Sequence, residues 1–184
     1  MIASDPPDIE TEQLRLAWLD EAALAAVAEG DPEPAERRIR ATISAAWIAE
    51  ARHLCALRAE QMRRSPDDAP WLMRAVVLQT AGEAIGQVGF HGGPGINGLQ
   101  ADDAVELGYS ILPAFRGRGF ATEAARGLME WAIGERGVQR FLASVSPTNP
   151  ASIRVAQKLG FDEVSRVWDE VDGEEIVYQR LIRA

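Results

Sequence analysis

The spacing of apolar and polar residues divides the first half of the chain into a strand followed by helices. Apolar residues alternate over residues 13–19, which predicts a first strand. Asp20 precedes an alanine-rich segment and is therefore predicted to cap a helix that runs to about Glu29. Residues 33–64 carry apolar positions at helical spacing and are predicted to form one long helix.

The second half alternates strands and helices, with glycine and proline between them. The predicted elements are strands over 71–79, 84–91, 105–112 and 140–145, helices over 122–136 and from Pro150 to before Gly160, and a closing hairpin of 161–168 and 174–183 around Asp172-Gly173. Residues 92–103 contain four glycines and one proline. This segment either borders a functional site or only connects two strands.

Length and charge limit the class of protein. A chain of 184 residues is predicted to form a single domain, 1–184. A net charge of -9 argues against nucleic acid or an anionic membrane as a partner and favours a cationic substrate. Cytoplasmic location is expected, because residues 1–10 lack the basic and apolar regions of a signal peptide. The sequence leaves open whether the protein is a monomer or a homodimer.

Cysteine and histidine are scarce. Cys55 is the single cysteine, which excludes an intramolecular disulfide and predicts a buried apolar role. The histidines, His53 and His91, have no spacing that suits a metal, so no metal site is predicted. Trp47, Trp71 and Trp168 are predicted to pack in the core rather than to line a pocket.

The most informative segment is the turn Arg116-Gly117-Arg118-Gly119-Phe120-Ala121, which lies between a predicted strand and a predicted helix. Glycines let the backbone approach a ligand closely, and the start of a helix offers unpaired amides and a positive dipole end. Paired arginines add attraction for an anion. The segment is therefore interpreted as a phosphate cradle; the alternative is an ordinary tight loop with solubilising arginines.

Two common phosphate-binding patterns fit poorly. A Rossmann fingerprint follows the first strand, whereas this turn comes two-thirds along the chain. A P-loop requires Gly-Lys-Ser/Thr, and Gly119-Phe120-Ala121 has neither the lysine nor the hydroxyl.

Several motifs in order resemble those of the general N-acetyltransferase (GNAT) superfamily, and specifically its ribosomal-protein alanine acetyltransferase-like branch. The motifs are Glu106-Leu107-Gly108-Tyr109, Pro113, the segment from Arg116 to Ala124, Asn149-Pro150-Ala151-Ser152 and Lys158-Leu159-Gly160-Phe161. The resemblance covers residues 85–161 well and residues 11–16 more weakly. Residues 23–71 match no motif.

The resemblance implies an α+β fold of mixed α/β type: a largely antiparallel twisted sheet of six to seven strands, flanked by helices and splayed centrally to hold acyl-CoA. It implies acetyl-CoA as co-substrate and no metal. The strand end before the turn would bind the pantetheine arm, the turn would bind the pyrophosphate, and Asn149 would contact the pantetheine region or simply cap the next helix. These implied cofactor residues are Ile111, Leu112, Arg116, Gly117, Arg118, Gly119, Phe120, Ala121, Thr122 and Asn149.

The resemblance also suggests catalytic residues. Glu106 is the candidate base, since family members often place a carboxylate on this strand; alternatively it is a solvated residue or an arginine partner. Many members carry a tyrosine that protonates the thiolate, but Ala156 stands at that position here. Ser152 is the substitute candidate, or else a helix residue that bonds its own backbone. His91 is a candidate for substrate binding.

Two functions remain open at this stage. The first is an N-acetyltransferase that moves an acetyl group to a primary amine, on a protein N-terminus or a small molecule, by direct attack in a ternary complex. The second is a catalytically inactive acyl-CoA-binding sensor or scaffold, suggested by the missing tyrosine. The acceptor pocket is expected from residues 33–64, residues 92–103 and the closing hairpin.

Overall fold

The computed structural model of the protein describes residues 5–169 and 173–182. The chain divides into two compact units, the first made of Met1–Gly89 and Tyr109–Leu128, the second of Phe90–Gly108 and Met129–Ala184. Whether the chain behaves as one domain stays a prediction. In the described part of the chain, no helix combines the length and apolar character that crossing a membrane requires.

Antiparallel strands form the sheet of the first unit. The strands are β1 (Ile9–Glu10), β2 (Leu14–Trp18), β3 (Arg74–Leu78) and β4 (Glu83–Phe90), which reaches the second unit with its last residue. Each strand pairs with the next along the chain. The links from β1 to β2 and from β3 to β4 are short, whereas residues 19–73 separate β2 from β3. The hairpin predicted for residues 71–91 is confirmed.

Three helices cover this sheet region: α1 (Glu21–Glu29), α2 (Glu33–Ile39) and α3 (Ala45–Arg64). Asp20 caps α1 as predicted, accepting a hydrogen bond of 2.8 Å from the amide of Ala23. The helices and β2 and β3 enclose an apolar core. Trp47 is fully buried in it and donates its indole N–H to the carbonyl of Gly86, 2.9 Å away.

The prediction of one helix over residues 33–64 is wrong. Arg40 adopts a left-handed conformation with φ of 49°, which ends α2. Thr42 then forms a parallel bridge with Glu83, and Ser44 caps α3 by accepting from the amide of Trp47. The bridge to Glu83, the first residue of β4, interrupts a helical pattern. Residues 40–44 contain no glycine or proline that would mark this break.

Helix α4 (Phe120–Arg136) begins two residues before the predicted start at residue 122. Its first turn is tied to the loop between β1 and β2. Glu123 accepts hydrogen bonds from the hydroxyl of Thr11 (2.6 Å), the amide of Gln13 (2.7 Å) and the side-chain amide of Gln13 (3.0 Å). A Cβ on Gly127 would lie 2.6 Å from Cγ2 of Thr11, so glycine permits this close approach.

The second unit contains the strands β6 (Arg140–Val145), β7 (Asp162–Asp169) and β8 (Gly173–Leu181), the helix α5 (Pro150–Lys158) and the first part of β5 (Ala104–Ile111). β6 pairs with β8, and β8 with β7, both antiparallel. β5 and β6 are parallel and pair only from Ala104 with Arg140 to Glu106 with Leu142, although β6 continues to Val145. This is the predicted position of the splay.

The α+β fold with a largely antiparallel sheet is confirmed, with eight strands in the described residues because the two-residue strand β1 adds to the expected count. The closing hairpin is confirmed, although Asp172 of its predicted turn lies outside the described residues. Core packing of Trp168 is wrong, since this residue is 78% exposed on β7.

Replacing Glu123 by alanine is expected to lower the free energy of unfolding by about 1–3 kcal/mol, because a half-buried carboxylate that accepts several hydrogen bonds is lost. The measurement is the urea unfolding curve. Glu130→Ala is the matched control on the exposed face of α4 and should change stability by less than about 0.5 kcal/mol. Equal losses in both variants would contradict the anchoring role of Glu123.

Burial raises the pKa of the Cys55 thiol to about 12. A much smaller fraction of this thiol is therefore ionised at pH 8 than of an unperturbed cysteine. Labelling with a thiol-reactive chromogenic disulfide at pH 8 should therefore be slow in the native protein and rapid in urea. Rapid labelling of the native protein would show that the core around α3 opens readily.

Candidate active site

The predicted phosphate cradle is a turn in the first unit that joins β5 to α4. After a single 3₁₀ turn over Pro113–Phe115, Gly117 and Gly119 adopt φ values of 76° and 89°. Residues other than glycine are strained in this region of conformation. No heavy atom lies within 4 Å of a Cβ built on either glycine, so space is open beside the backbone here.

The helix that follows supplies the donors such a turn requires. α4 starts at Phe120, and the first amides of an α-helix have no partner within the helix. The amide of Glu123 already bonds the carbonyl of Gly119, 3.0 Å away. The exposed guanidinium of Arg118 lies over the ring of Phe120, 4.8 Å from its centre, and so remains beside the start of the helix.

At the end of β5, the carbonyl of Ile111 and both backbone polar groups of Leu112 already have hydrogen-bond partners. Nε of Arg116 donates to the carbonyl of Ile111 at 2.7 Å. The amide of Leu112 donates to the carbonyl of Ile85, and its carbonyl accepts from the amide of Phe115. Arg116 therefore braces the strand end, a contact that the cradle interpretation did not anticipate.

Glu106 is the central polar residue of the second unit. It is 3% exposed, so the alternative interpretation as a solvated strand residue is wrong. Oε1 accepts a hydrogen bond of 2.6 Å from the hydroxyl of Ser144, and Oε2 accepts one of 2.7 Å from the amide of Gly98. Hydrogen bonds of this kind compensate the cost of taking a charged group out of water.

Strand register explains why Ser144 reaches this carboxylate. Glu106 and Leu142 are paired in the parallel ladder of β5 and β6, and Ser144 lies two residues further along β6. Residues two apart in a strand share a face of the sheet. The bond from Ser144 to Glu106 therefore joins the two strands where their backbone pairing ends.

The glycine-rich segment 92–103 borders Glu106 and is not merely a connection. Asn97 organises it, because its side chain donates to the carbonyls of Ala101 and Ala104 and accepts from the amides of Leu99 and Ala101. This places the backbone of Gly98 next to the carboxylate. A Cβ on Gly98 would lie 3.6 Å from Oε2 of Glu106, which is ordinary contact.

His91 lies near the carboxylate oxygen that Gly98 also contacts. Nδ1 is 3.7 Å from Oε2 of Glu106, and the histidine side chain is 43% exposed. A Cβ on Gly108 would lie 3.2 Å from Nε2 of His91, so the ring lies close to the β5 backbone. The cluster thus joins a buried carboxylate to a solvent-accessible imidazole.

The remaining predicted residues begin α5. The side-chain oxygen of Asn149 accepts from the amide of Ser152 at 3.1 Å, so the capping role is confirmed. Contact of Asn149 with pantetheine and proton donation by Ser152 stay predictions. Ala156 is buried on this helix, which contains no tyrosine. In residues 5–169 and 173–182, no group of three or more His, Cys, Asp or Glu side chains is arranged to hold a metal ion.

The sequence profile of the acetyltransferase (GNAT) domain matches residues 13–162. The chain belongs to this family. The GNAT resemblance is therefore confirmed, and it extends to residues 23–71, where no motif was identified.

Characterised and uncharacterised GNAT relatives match shorter segments. The N-acetyltransferase YjdG of Bacillus subtilis is 34% identical over 79 residues, covering 43% of this chain and 44% of YjdG. Aminoglycoside N(6')-acetyltransferase type 1 of Salmonella typhimurium is 36% identical over 73 residues, covering 39% of this chain and 50% of the relative. The matched segment thus spans about half or less of these proteins.

Solved GNAT structures share the fold over nearly the whole chain. The ribosomal-protein-S5-alanine acetyltransferase of Vibrio fischeri has a TM-score of 0.64 at 16% identity, covering 95% of this chain and 96% of that one. RimL, a ribosomal L7/L12 alpha-N-protein acetyltransferase solved with coenzyme A, has a TM-score of 0.66 at 17% identity, covering 96% and 98%. At these identities the likeness shows the fold alone.

Ser144, Gly98 and Asn97 are the site residues that sequence reasoning missed. Ser144 is a polar residue between the apolar Ala143 and Val145 of β6, which is a weak signal for a buried polar partner. Asn97 lies in a glycine-rich segment, where asparagine commonly organises turns. Neither signal indicates Glu106 as the partner.

Replacing Ser144 by alanine is expected to lower the free energy of unfolding by about 1–3 kcal/mol, because a buried carboxylate loses a hydrogen bond. Ser165→Ala is the matched control, since Ser165 is a half-buried serine on β7 in the same unit. Urea unfolding compares the two variants. If both lose the same stability, the bond from Ser144 to Glu106 does not contribute as described.

Proposed function

We propose that the protein is an acetyl-CoA-dependent N-acetyltransferase that acts on a primary amine. The observation that carries this proposal is the glycine turn opening onto α4 in a chain that belongs to the GNAT family. The acceptor is a protein N-terminus or a small-molecule amine. A sequence relative named for aminoglycoside acetylation supports the small-molecule part of this range.

The residues of the turn suit a pyrophosphate. Backbone amides from Arg116 to Thr122 would donate to the phosphate oxygens, with the dipole of α4 adding attraction. The left-handed φ values of Gly117 and Gly119, with open space beside them, let a bulky anion approach the backbone. Arg118 adds positive charge in a chain whose net charge is -9.

The chemistry requires positioning, a proton acceptor and stabilisation of a departing thiolate. The amine attacks the thioester carbonyl directly, so that a C–N bond forms and the C–S bond breaks. The cluster around Glu106 is proposed to supply the proton acceptor, and Ser152 is proposed to assist the thiolate. The second candidate, an inactive acyl-CoA-binding module, is favoured by one observation, the buried alanine at position 156.

Replacing Gly119 by alanine is expected to weaken acetyl-CoA binding at least about tenfold, because its φ of 89° is strained for any residue with a Cβ. The binding constant is measured by isothermal titration calorimetry. Gly134→Ala on α4 is the matched control, since a Cβ there contacts nothing within 4 Å and its φ is not left-handed. It should bind acetyl-CoA like the parent protein.

Titration with S-acetylpantetheine distinguishes a loss of phosphate binding from a general disturbance of the fold. This ligand lacks the pyrophosphate, so Gly119→Ala should affect its binding little. Equal loss for both ligands would remove the phosphate role of the turn. If the parent protein binds no acetyl-CoA at hundreds of micromolar, both candidate functions fail. If it binds acetyl-CoA but releases no thiol with any amine or N-terminal peptide of a panel, the inactive module is favoured.

A further inference from the structure

The hydrogen bonds of Glu106 bear on which group accepts the proton. Both carboxylate oxygens already accept hydrogen bonds, from Ser144 and from the amide of Gly98. A proton placed on either oxygen would weaken a bond already made. The residue is also 3% exposed, so an incoming ammonium group has little direct access to it.

His91 has the access that Glu106 lacks. Its side chain is 43% exposed, and Nδ1 lies 3.7 Å from Oε2 of Glu106. This separation is too long for a hydrogen bond, yet the carboxylate is close enough to stabilise a positively charged imidazole. Histidine ordinarily gains and loses a proton near neutral pH, as a general base must.

A backbone hydrogen bond places His91 opposite Glu106. The amide of His91, the residue that follows β4, donates to the carbonyl of Glu106 at 2.9 Å. Glycine at position 108 leaves room for the ring, since a Cβ there would lie 3.2 Å from Nε2. A side chain at position 108 would therefore crowd the imidazole ring.

We propose that His91 is the general base of the transfer reaction and that Glu106 is a positioning residue that stabilises the imidazolium. This inference rests on the proposed function. One proton of the substrate ammonium passes to the imidazole, and the resulting amine forms the C–N bond. The C–S bond breaks with its electron pair on sulfur, sulfur receives a second amine proton, and the imidazolium returns its proton to solvent.

The test begins with steady-state kinetics of His91→Ala, using acetyl-CoA and the best amine from the panel. General-base catalysis contributes about 10²–10⁴-fold, so kcat should fall by about 10²-fold or more while acetyl-CoA binding stays normal. His53→Ala is the matched control, because His53 is the other histidine of the chain and is exposed on α3. Its kcat should stay within about twofold of the parent value.

Chemical rescue distinguishes a lost base from a disturbed fold. Imidazole added to His91→Ala should restore kcat in proportion to its concentration, as a diffusible base would, and should not stimulate the parent protein or His53→Ala. Gly108→Ala should lower kcat while leaving acetyl-CoA binding unchanged, because its methyl group displaces the ring.

The role of Glu106 is tested by the pH dependence of kcat in Glu106→Gln. Glu106 faces the ring from β5, whereas Asp102 and Asp103 of the adjoining segment are exposed and Asp103 pairs with Arg140. Removing the carboxylate charge destabilises the imidazolium, so the acidic limb should move to lower pH. Loss of kcat should be smaller than in His91→Ala.

Two results would overturn the proposal while the parent enzyme is active. One is kcat in His91→Ala within about threefold of the parent value. The other is a His91→Ala variant that folds and binds acetyl-CoA normally but is not rescued by imidazole. In that case His91 does not act as a base. An inactive parent protein is a different result, since it removes the proposed function itself.

Discussion

The buried carboxylate of Glu106 in the second unit needs hydrogen-bond partners, and the residues around it are arranged to supply them. Burying a charge without partners costs several kcal/mol. Glu106 meets the requirement with a backbone amide from residues 92–103 and a hydroxyl from β6. The segment consequently folds back over β5, and β5 and β6 remain joined where their backbone ladder stops. Nδ1 of His91 lies 3.7 Å from Oε2 of this carboxylate.

Local signals in the sequence predicted most of the elements. Asp20 and Asn149 cap α1 and α5 as expected, because a cap depends on residues within one turn of the helix. The break at Arg40 was not predictable, since no glycine or proline marks it and its cause is a bridge from Thr42 to Glu83 on the sheet. Exposure of Trp168 was missed because hydrophobicity alone does not tell which strand face is covered.

The candidate site was predictable to a different extent in its two parts. The glycine turn is contiguous in sequence, so its left-handed residues and its position before α4 could be expected. The Glu106 cluster joins His91, which follows β4, to residues from the segment 92–103, β5 and β6. Ser144 is separated from Glu106 by 38 positions, and only the parallel register brings the two together. The resemblance indicated Glu106 but not its partners.

The proposed acyl donor is easier to infer from the sequence than the acceptor, because its site is contiguous along the chain. A phosphate can be held by backbone amides, and the glycines that expose those amides are visible as a sequence pattern. An amine acceptor is selected by side chains whose positions depend on the rest of the fold. The relative named for aminoglycoside acetylation matches this chain over 50% of its own length. If that shared segment holds the proposed donor site, the acceptor is selected by side chains outside it.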